Sequence, residues 1–211
     1  PFVARRISKY VSKNNINIVH VRSRGPAWIS SFIPTNKIKT VSTFHNIYGG
    51  DSFIKKFYNK RMAKVNYIIS ISDYVKKEIS NKYNIHPDKI FVINRGIDTN
   101  FFDDDINAND KKKFLDKYSI ADDKKIFFYP GRITEWKGQY QFISKIEKIN
   151  MKGRVILFAG DTSNISHTNL LKSKIKNKNL TDKCKILGPL NDHDLKIAYS
   201  LSDLVLSLPT R

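Results

Sequence analysis

Cysteine is nearly absent from this chain. Cys184 is the only one, so no disulfide framework forms within the chain, and a reducing compartment is consistent with that. It stands before Lys185-Ile186-Leu187, a short apolar run, and reads as a small core residue. Long apolar stretches are missing too. None reaches the length of a membrane-spanning helix, and no signal-peptide pattern opens the chain. There is no G-x-S-x-G elbow, no Walker loop, no G-x-G-x-x-G fingerprint and no metal-ligand spacing. Arginine-rich tracts and zinc spacings for specific nucleic-acid recognition are also lacking. Acidic residues are scarce: 19 Asp and Glu face 38 Lys and Arg, a formal charge of +19 that suits anionic partners. The excess is mostly Lys, spread along the chain beside abundant Asn and Ile, as AT-rich coding produces. Charge alone therefore marks no site.

What is present is a core and a rhythm. Apolar residues make up 40% of 211, enough for one large domain or two small ones. Short β-rich runs alternate with segments of helical spacing, which predicts an α/β fold with parallel sheets. The first half offers a helix over Ala4–Ser12 and strands at Ile16–Val21, Thr40–Phe44, Tyr67–Ile71 and Ile90–Ile93. A basic helix over Lys55–Ala63 and one capped by Ser72 or Asp73 lie between. The second half offers strands at Ile126–Tyr129, Val155–Ala159, Lys185–Leu187 and Leu204–Leu208, with helices Gln139–Ile149, Leu170–Asn177 and His193–Leu201. Between the halves, an acidic run (Asp103-Asp104-Asp105) and a Lys-rich short helix predict a linker over 101–123. The expected domains are thus 1–100 and 124–211. The chain opens on Pro1 rather than Met and stops just after an apolar run, so it is expected to be a piece of a longer protein.

The most informative stretch is FFYPGRITEWKG, Phe127–Gly138. A buried strand breaks at Pro130-Gly131, Arg132 follows at once, and Lys137-Gly138 precedes the next helix. In open α/β sheets, ligands bind at the carboxyl ends of strands. A guanidinium fork and an ammonium there suit a diphosphate, helped by the positive end of the following helix. Glu135, between them, is the best-placed carboxylate. Gly160, in Ala159-Gly160-Asp161, ends the next strand and permits a close backbone approach to a ligand. In the first half, His45 closes a strand and can donate a hydrogen bond or bind a sugar hydroxyl. Arg22 and Arg24 also follow a strand and offer two guanidiniums to an anion. Asn94-Arg95-Gly96-Ile97-Asp98 suits a sharp turn, with Asp98 able to hydrogen-bond it.

Taken in order, IVHVRSRGPAW, TFHNIYGG, NYIISISDYVKKEI, VINRGIDTNFF, YPGRITEWKGQ, LFAGD and SDLVLSLPTR resemble a glycosyltransferase of the GT-B fold, close to the retaining family 4. The most specific element is G-R-x(4)-K-G downstream of x-N-x-G-I-D-x-x-x-F. The resemblance implies two Rossmann-like domains facing a cleft, truncated at both ends, with 1–100 on the acceptor side and 124–211 on the donor side. It implies that Arg132 and Lys137 bind the diphosphate of a nucleotide-sugar donor and steady the leaving nucleotide diphosphate. His45 would approach the donor sugar and act with them as a catalytic group; Glu135 and Gly160 would lie near the donor, and Arg22 and Arg24 on the acceptor side. No cofactor or metal is implied, since the Arg/Lys pair replaces it. A glycine-rich loop is expected before Pro1 and an E-x(7)-E segment beyond Arg211, so the isolated piece is expected to be inactive.

The implied reaction is sugar transfer with retention, in envelope glycan or lipopolysaccharide synthesis, onto a glycan or lipid-linked acceptor. The location implied is cytoplasmic, with peripheral contact to an anionic membrane through Lys55-Lys56 and Lys60-Arg61-Met62. Two alternatives remain: a nucleotide-sugar 2-epimerase of the same fold, and a non-enzymatic α/β protein binding anions or nucleic acid.

Overall fold

A parallel sheet covered on both faces has no wet side, so its strands read as continuous apolar runs rather than alternating ones. In the computed structural model, which describes residues 2–33, 38–49, 52–103 and 105–210, such runs form two four-stranded sheets. Every strand pairing is parallel. The chain divides into two compact units, Pro1–Ile97 and Asp98–Arg211. Gly50, Asp104 of the acidic run, and the end residues Pro1 and Arg211 lie outside the described residues.

In the first unit, β1 (Ile18–Val21), β2 (Lys39–Phe44), β3 (Tyr67–Ser70) and β4 (Ile90–Val92) lie side by side in chain order. Around them run α1 (Phe2–Lys13), α2 (Arg24–Ser30), α3 (Phe53–Asn59) and α4 (Asp73–Tyr83). Phe44, Met62, Ile68, Ile79 and Ile90 are buried together. Ser42 is buried among them, and its hydroxyl is satisfied by donating to the Met62 carbonyl at 2.7 Å. Ser72 caps α4 by accepting the Val75 N–H at 3.2 Å, and Asn84 ends it in the left-handed region, φ 53°. The basic helix expected over Lys55–Ala63 is α3 followed by a separate 3-10 turn, Lys60–Ala63. Met62 of that turn is core rather than surface. α2 was not expected; it carries Pro26 in its first turn, where a missing N–H costs nothing.

The second unit contains α5 (Thr99–Asp103), α6 (Ala108–Lys117), β5 (Lys125–Pro130), α7 (Gln139–Ser144), β6 (Arg154–Ala159), α8 (Ile165–Asn177), β7 (Cys184–Gly188), α9 (Asp192–Ser200) and β8 (Leu204–Val205). The sheet order is β7-β6-β5-β8. Alternation along β5 sends Ile126 and Phe128 to the α6/α9 side, and Phe127 and Tyr129 to the other. Cys184 is buried in the core, and burial pushes its thiol up to about 12.

The stretch 101–123 differs from the expected linker. Asn107 caps α6 by accepting the Asp110 N–H at 2.8 Å, and Phe114, Leu115 and Ile120 are built into the second unit's core. Lys117 pairs with Asp194 of α9 at 2.7 Å. Phe114 and Leu115 of α6, with Ile120 just beyond it, are enough to dock the segment. Three other boundaries shift. The helix expected through Ile149 breaks at Lys145 into α7 and a 3-10 turn, Ile146–Lys148, where the Ser144 hydroxyl bonds back to the Tyr140 carbonyl. α8 starts earlier than Leu170 because Asn164 caps it through the His167 N–H. β8 is short, although Leu206 N–H still reaches the Phe128 carbonyl at 2.7 Å. No helix among the described residues is long and apolar enough to cross a membrane.

Candidate functional site

In the second unit the chain moves outward from β5 to β6 and β7, then returns to add β8 on the free edge of β5. The strand order reverses at β5, and such a switch point leaves an open crevice at the carboxyl strand ends. Gly131 and Arg132 emerge there. Gly131 N–H donates to the Ala159 carbonyl at 2.7 Å and Ile133 N–H to Asp161 at 3.0 Å, so the loop is tied to the end of β6. A 3-10 turn, Glu135–Lys137, follows, and Gly138 closes it at φ 82°.

Three further contacts pin this loop. The Tyr129 hydroxyl donates to the Lys137 carbonyl at 2.7 Å. Gln139, 1% exposed, donates from Nε2 to the Arg132 carbonyl at 3.1 Å, with the Gly131 carbonyl at 3.4 Å. Thr210 N–H donates to the Trp136 carbonyl at 2.9 Å. Gly138 is required on two counts: its φ is positive, and a Cβ there would lie 2.0 Å from the Leu208 carbonyl oxygen.

The cations lie on this frame. The Lys137 stem crosses Gly131, where a Cβ would sit 3.6 Å from Lys137 Cδ, and its ammonium is 4.6 Å from the Trp136 ring centre. Arg132 is exposed. Among the described residues neither cation is paired with a carboxylate. Glu135 is exposed and likewise unpaired among the described residues. The Asp161 carboxyl is held below its usual range by the Ser163 N–H, then by the Ser163 hydroxyl, with a smaller contribution from the Arg132 charge. Gly160 (φ 146°) does make a close approach, but to the loop itself: a Cβ there would lie 2.3 Å from the Gly131 oxygen. The contribution expected from the following helix end is small, since α7 stops at Ser144 and sums few peptide dipoles.

In the first unit, Arg22 follows β1, His45 follows β2, and Arg95 lies just past β4. Arg22 Nε donates to His45 Nε2 at 3.4 Å, and Arg95 Nη2 lies 3.2 Å from His45 Nδ1. The imidazole is thus flanked by guanidiniums. Its pKa is lowered, first by burial, then by the charges of Arg95, Arg22 and His20. His20 sits behind, Nε2 2.7 Å from Thr43 Oγ1. Arg24 turns elsewhere: it donates to Asn59 Oδ1 at 3.3 Å and stacks 5.0 Å from the Tyr48 ring centre. Asp98 accepts the Phe101 N–H at 3.1 Å, as its place in the turn predicts, while Gly96 has no positive φ. Sequence reasoning missed Gln139, Tyr129 and Arg95 as site-builders. Arg95 stood in a quoted motif, but only the fold brings it to His45.

Two parallel α/β units, with the G-R-x(4)-K-G loop at the switch point of the second, define the GT-B class of glycosyltransferases. Residues 1–101 match Glycosyltransferase Family 4, and residues 110–210 match Glycosyl transferases group 1. The chain belongs to these glycosyltransferases on both of its halves. A solved glycosyltransferase from Rickettsia africae is 34% identical with a TM-score of 0.86, matched over 99% of this chain and 56% of that one. The O-antigen chain mannosyltransferase RfbU of Salmonella typhimurium is 25% identical over 78% of this chain and 43% of its own length. Anabaena Alr3699/HepE, solved with UDP-glucose, shares the fold at a TM-score of 0.82 and 16% identity, over 99% of this chain and 57% of that one. The chain spans about half the length of the proteins it matches.

Proposed function

We propose that this chain belongs to an enzyme that transfers a sugar from a nucleotide-diphosphate sugar to a glycan or lipid-linked acceptor, with retention at the anomeric carbon. The observation that carries the reading is the loop from Gly131 to Gly138. Its backbone is held by Ala159, Asp161, the Tyr129 hydroxyl and the Gln139 amide, and it presents at a switch point two cations that have no carboxylate partner among the described residues. As the sugar leaves, negative charge grows on the nucleotide diphosphate. Arg132 accepts that charge through a bidentate fork and Lys137 as a compact ammonium, so both bind the leaving group more tightly as it forms. The cations take the role a metal ion fills elsewhere, and Glu135 lies beside the nucleotide. His45 acts on the donor sugar as a hydrogen-bond partner. The bound UDP-glucose of the Anabaena protein supports the donor class, and the O-antigen role of RfbU supports envelope glycan synthesis.

The reading extends to a cytoplasmic location with peripheral contact to an anionic membrane. Its support is α3, where Phe53 and Ile54 are exposed beside Lys55 and Lys56.

Calorimetry of UDP with the 211-residue chain tests the donor site without requiring turnover. Arg132→Ala and Lys137→Ala are each expected to weaken binding roughly 10-fold or more, with folding intact and with chelator making no difference. Unchanged affinity in both variants overturns the assignment.

A further inference from the structure

The first unit holds a hydrogen-bonding conflict. Arg22 Nε faces His45 Nε2 at 3.4 Å, and Arg95 Nη2 faces His45 Nδ1 at 3.2 Å. A guanidinium only donates. A neutral imidazole has one accepting nitrogen and an imidazolium has none. In every protonation state, at least one of the two contacts sets donor against donor. Among the described residues no carboxylate pairs with either arginine. Three positive or potentially positive groups thus meet at the ends of β1, β2 and β4 without an acceptor to share.

We propose that Arg22, His45 and Arg95 form an anion subsite that takes a phosphate or carboxylate group carried by the acceptor. An anion with two or more oxygens removes the conflict. It accepts from both guanidinium forks and from one imidazole N–H, which leaves the other ring nitrogen to accept from the donor-sugar hydroxyl assigned to His45 above, and it spreads the charge that His45 otherwise faces. The residue types fit: forks of planar donors match phosphate and carboxylate, whereas the chain's general excess is lysine. The site lies at carboxyl strand ends, where a parallel sheet receives ligands. The assignment to the acceptor rests on the proposed function, in which the donor's diphosphate is already matched by Arg132 and Lys137 of the other unit.

The test follows the His45 ring by NMR in the 211-residue chain while inorganic phosphate is added. Phosphate is expected to raise the pKa of His45. Arg22→Ala and Arg95→Ala are each expected to weaken that response roughly 10-fold or more, with Arg95→Lys intermediate. Arg132→Ala should leave the response in place. Both arginines are exposed, so neither variant should disturb folding. If His45 titrates identically with and without phosphate, or the response survives loss of both arginines, the subsite is overturned. UDP binding, measured separately, reports on the donor assignment alone. UDP-glucose and UDP-glucuronate should bind Arg95→Ala as they bind the unaltered chain. A selective loss of UDP-glucuronate would place the anion on the donor sugar and overturn the acceptor assignment.

Discussion

The first unit lays its four strands down in chain order, whereas the second returns its last strand to the far edge of its first. The second arrangement makes one crevice, and one contiguous loop fills its rim with both cations. The first has no reversal within β1 to β4, and its two arginines and His45 come singly from the ends of three strands. What holds them differs as well. Arg132 and Lys137 ride on a backbone fixed by Tyr129, Gln139 and two glycines. Arg22, His45 and Arg95 hold chiefly one another. A loop that carries its own support is readable in sequence; a cluster that depends on sheet register is not.

The largest test of the division between the units is Phe114→Ala. If 101–123 belongs to the second unit, the loss should be about 3–5 kcal/mol of that unit's stability. Each unit holds one of the two tryptophans, Trp28 and Trp136, so urea unfolding of the Trp28→Phe form follows the second unit alone. A change under 1 kcal/mol would return the segment to a spacer.

Next comes the self-supported loop. Gly138→Ala meets both a positive φ and the Leu208 carbonyl, and should cost about 2–3 kcal/mol in the same experiment. A Gly96→Ala control in the first unit, where among the described residues nothing beyond the chain neighbours lies within 4 Å of the added Cβ, should move stability by less than about 0.5 kcal/mol. Equal effects would dissolve the contrast between the two regions.

Arg132→Ala separates binding from folding. It should leave the urea midpoint unchanged because the side chain is exposed, while UDP affinity falls roughly 10-fold or more. A parallel loss of stability would show the cation to be structural.

The smallest effect concerns pH. His45 has a lowered pKa in the folded chain, so the unfolded chain binds its proton first as pH falls. Its contribution to stability is therefore intact above the unfolded value of 6.5 and is lost as pH drops through the folded value. Arg95→Ala removes a neighbouring positive charge and should raise that pKa, flattening the dependence. The ring is only partly buried, so NMR titration is the sensitive measurement and the stability slope a weak one. A His45 pKa that stays put in Arg95→Ala would break the proposed contact.

Much of the fold was legible because parallel strands buried on both faces appear as apolar runs. Ile126-Phe127-Phe128-Tyr129 and Val155–Ala159 fall inside β5 and β6. The second unit's cations could be read too, since Gly131-Arg132 and Lys137-Gly138 punctuate one loop. A Lys-rich short helix was legible where α6 lies, but its docking was not, because Phe114 and Leu115 are the only residues it buries. α7 looked longer because Ile146 and Ile149 keep helical spacing across a break set by backbone geometry. Arg95 was hidden for a different reason: the pairing of β3 with β4, and of β2 with β3, delivers it to His45. Gln139 gave no signal, because an amide serving backbone carbonyls looks like any polar residue at a helix start.

The loop from Gly131 to Gly138 begins and ends on itself, with the Lys137 stem lying across Gly131 and the Gln139 amide bound to the carbonyls where the loop starts. Its length is therefore not adjustable. One inserted residue would carry Lys137 off Gly131 and Gly138 away from Leu208 together, whatever residue was added. Descendants of this sequence can vary the loop by substitution but not by insertion or deletion, and even substitution is limited at Ile133, which is buried in the second unit's core. An alignment that opens a gap between Gly131 and Gly138 is then a misalignment or the record of a lineage that has given up the site.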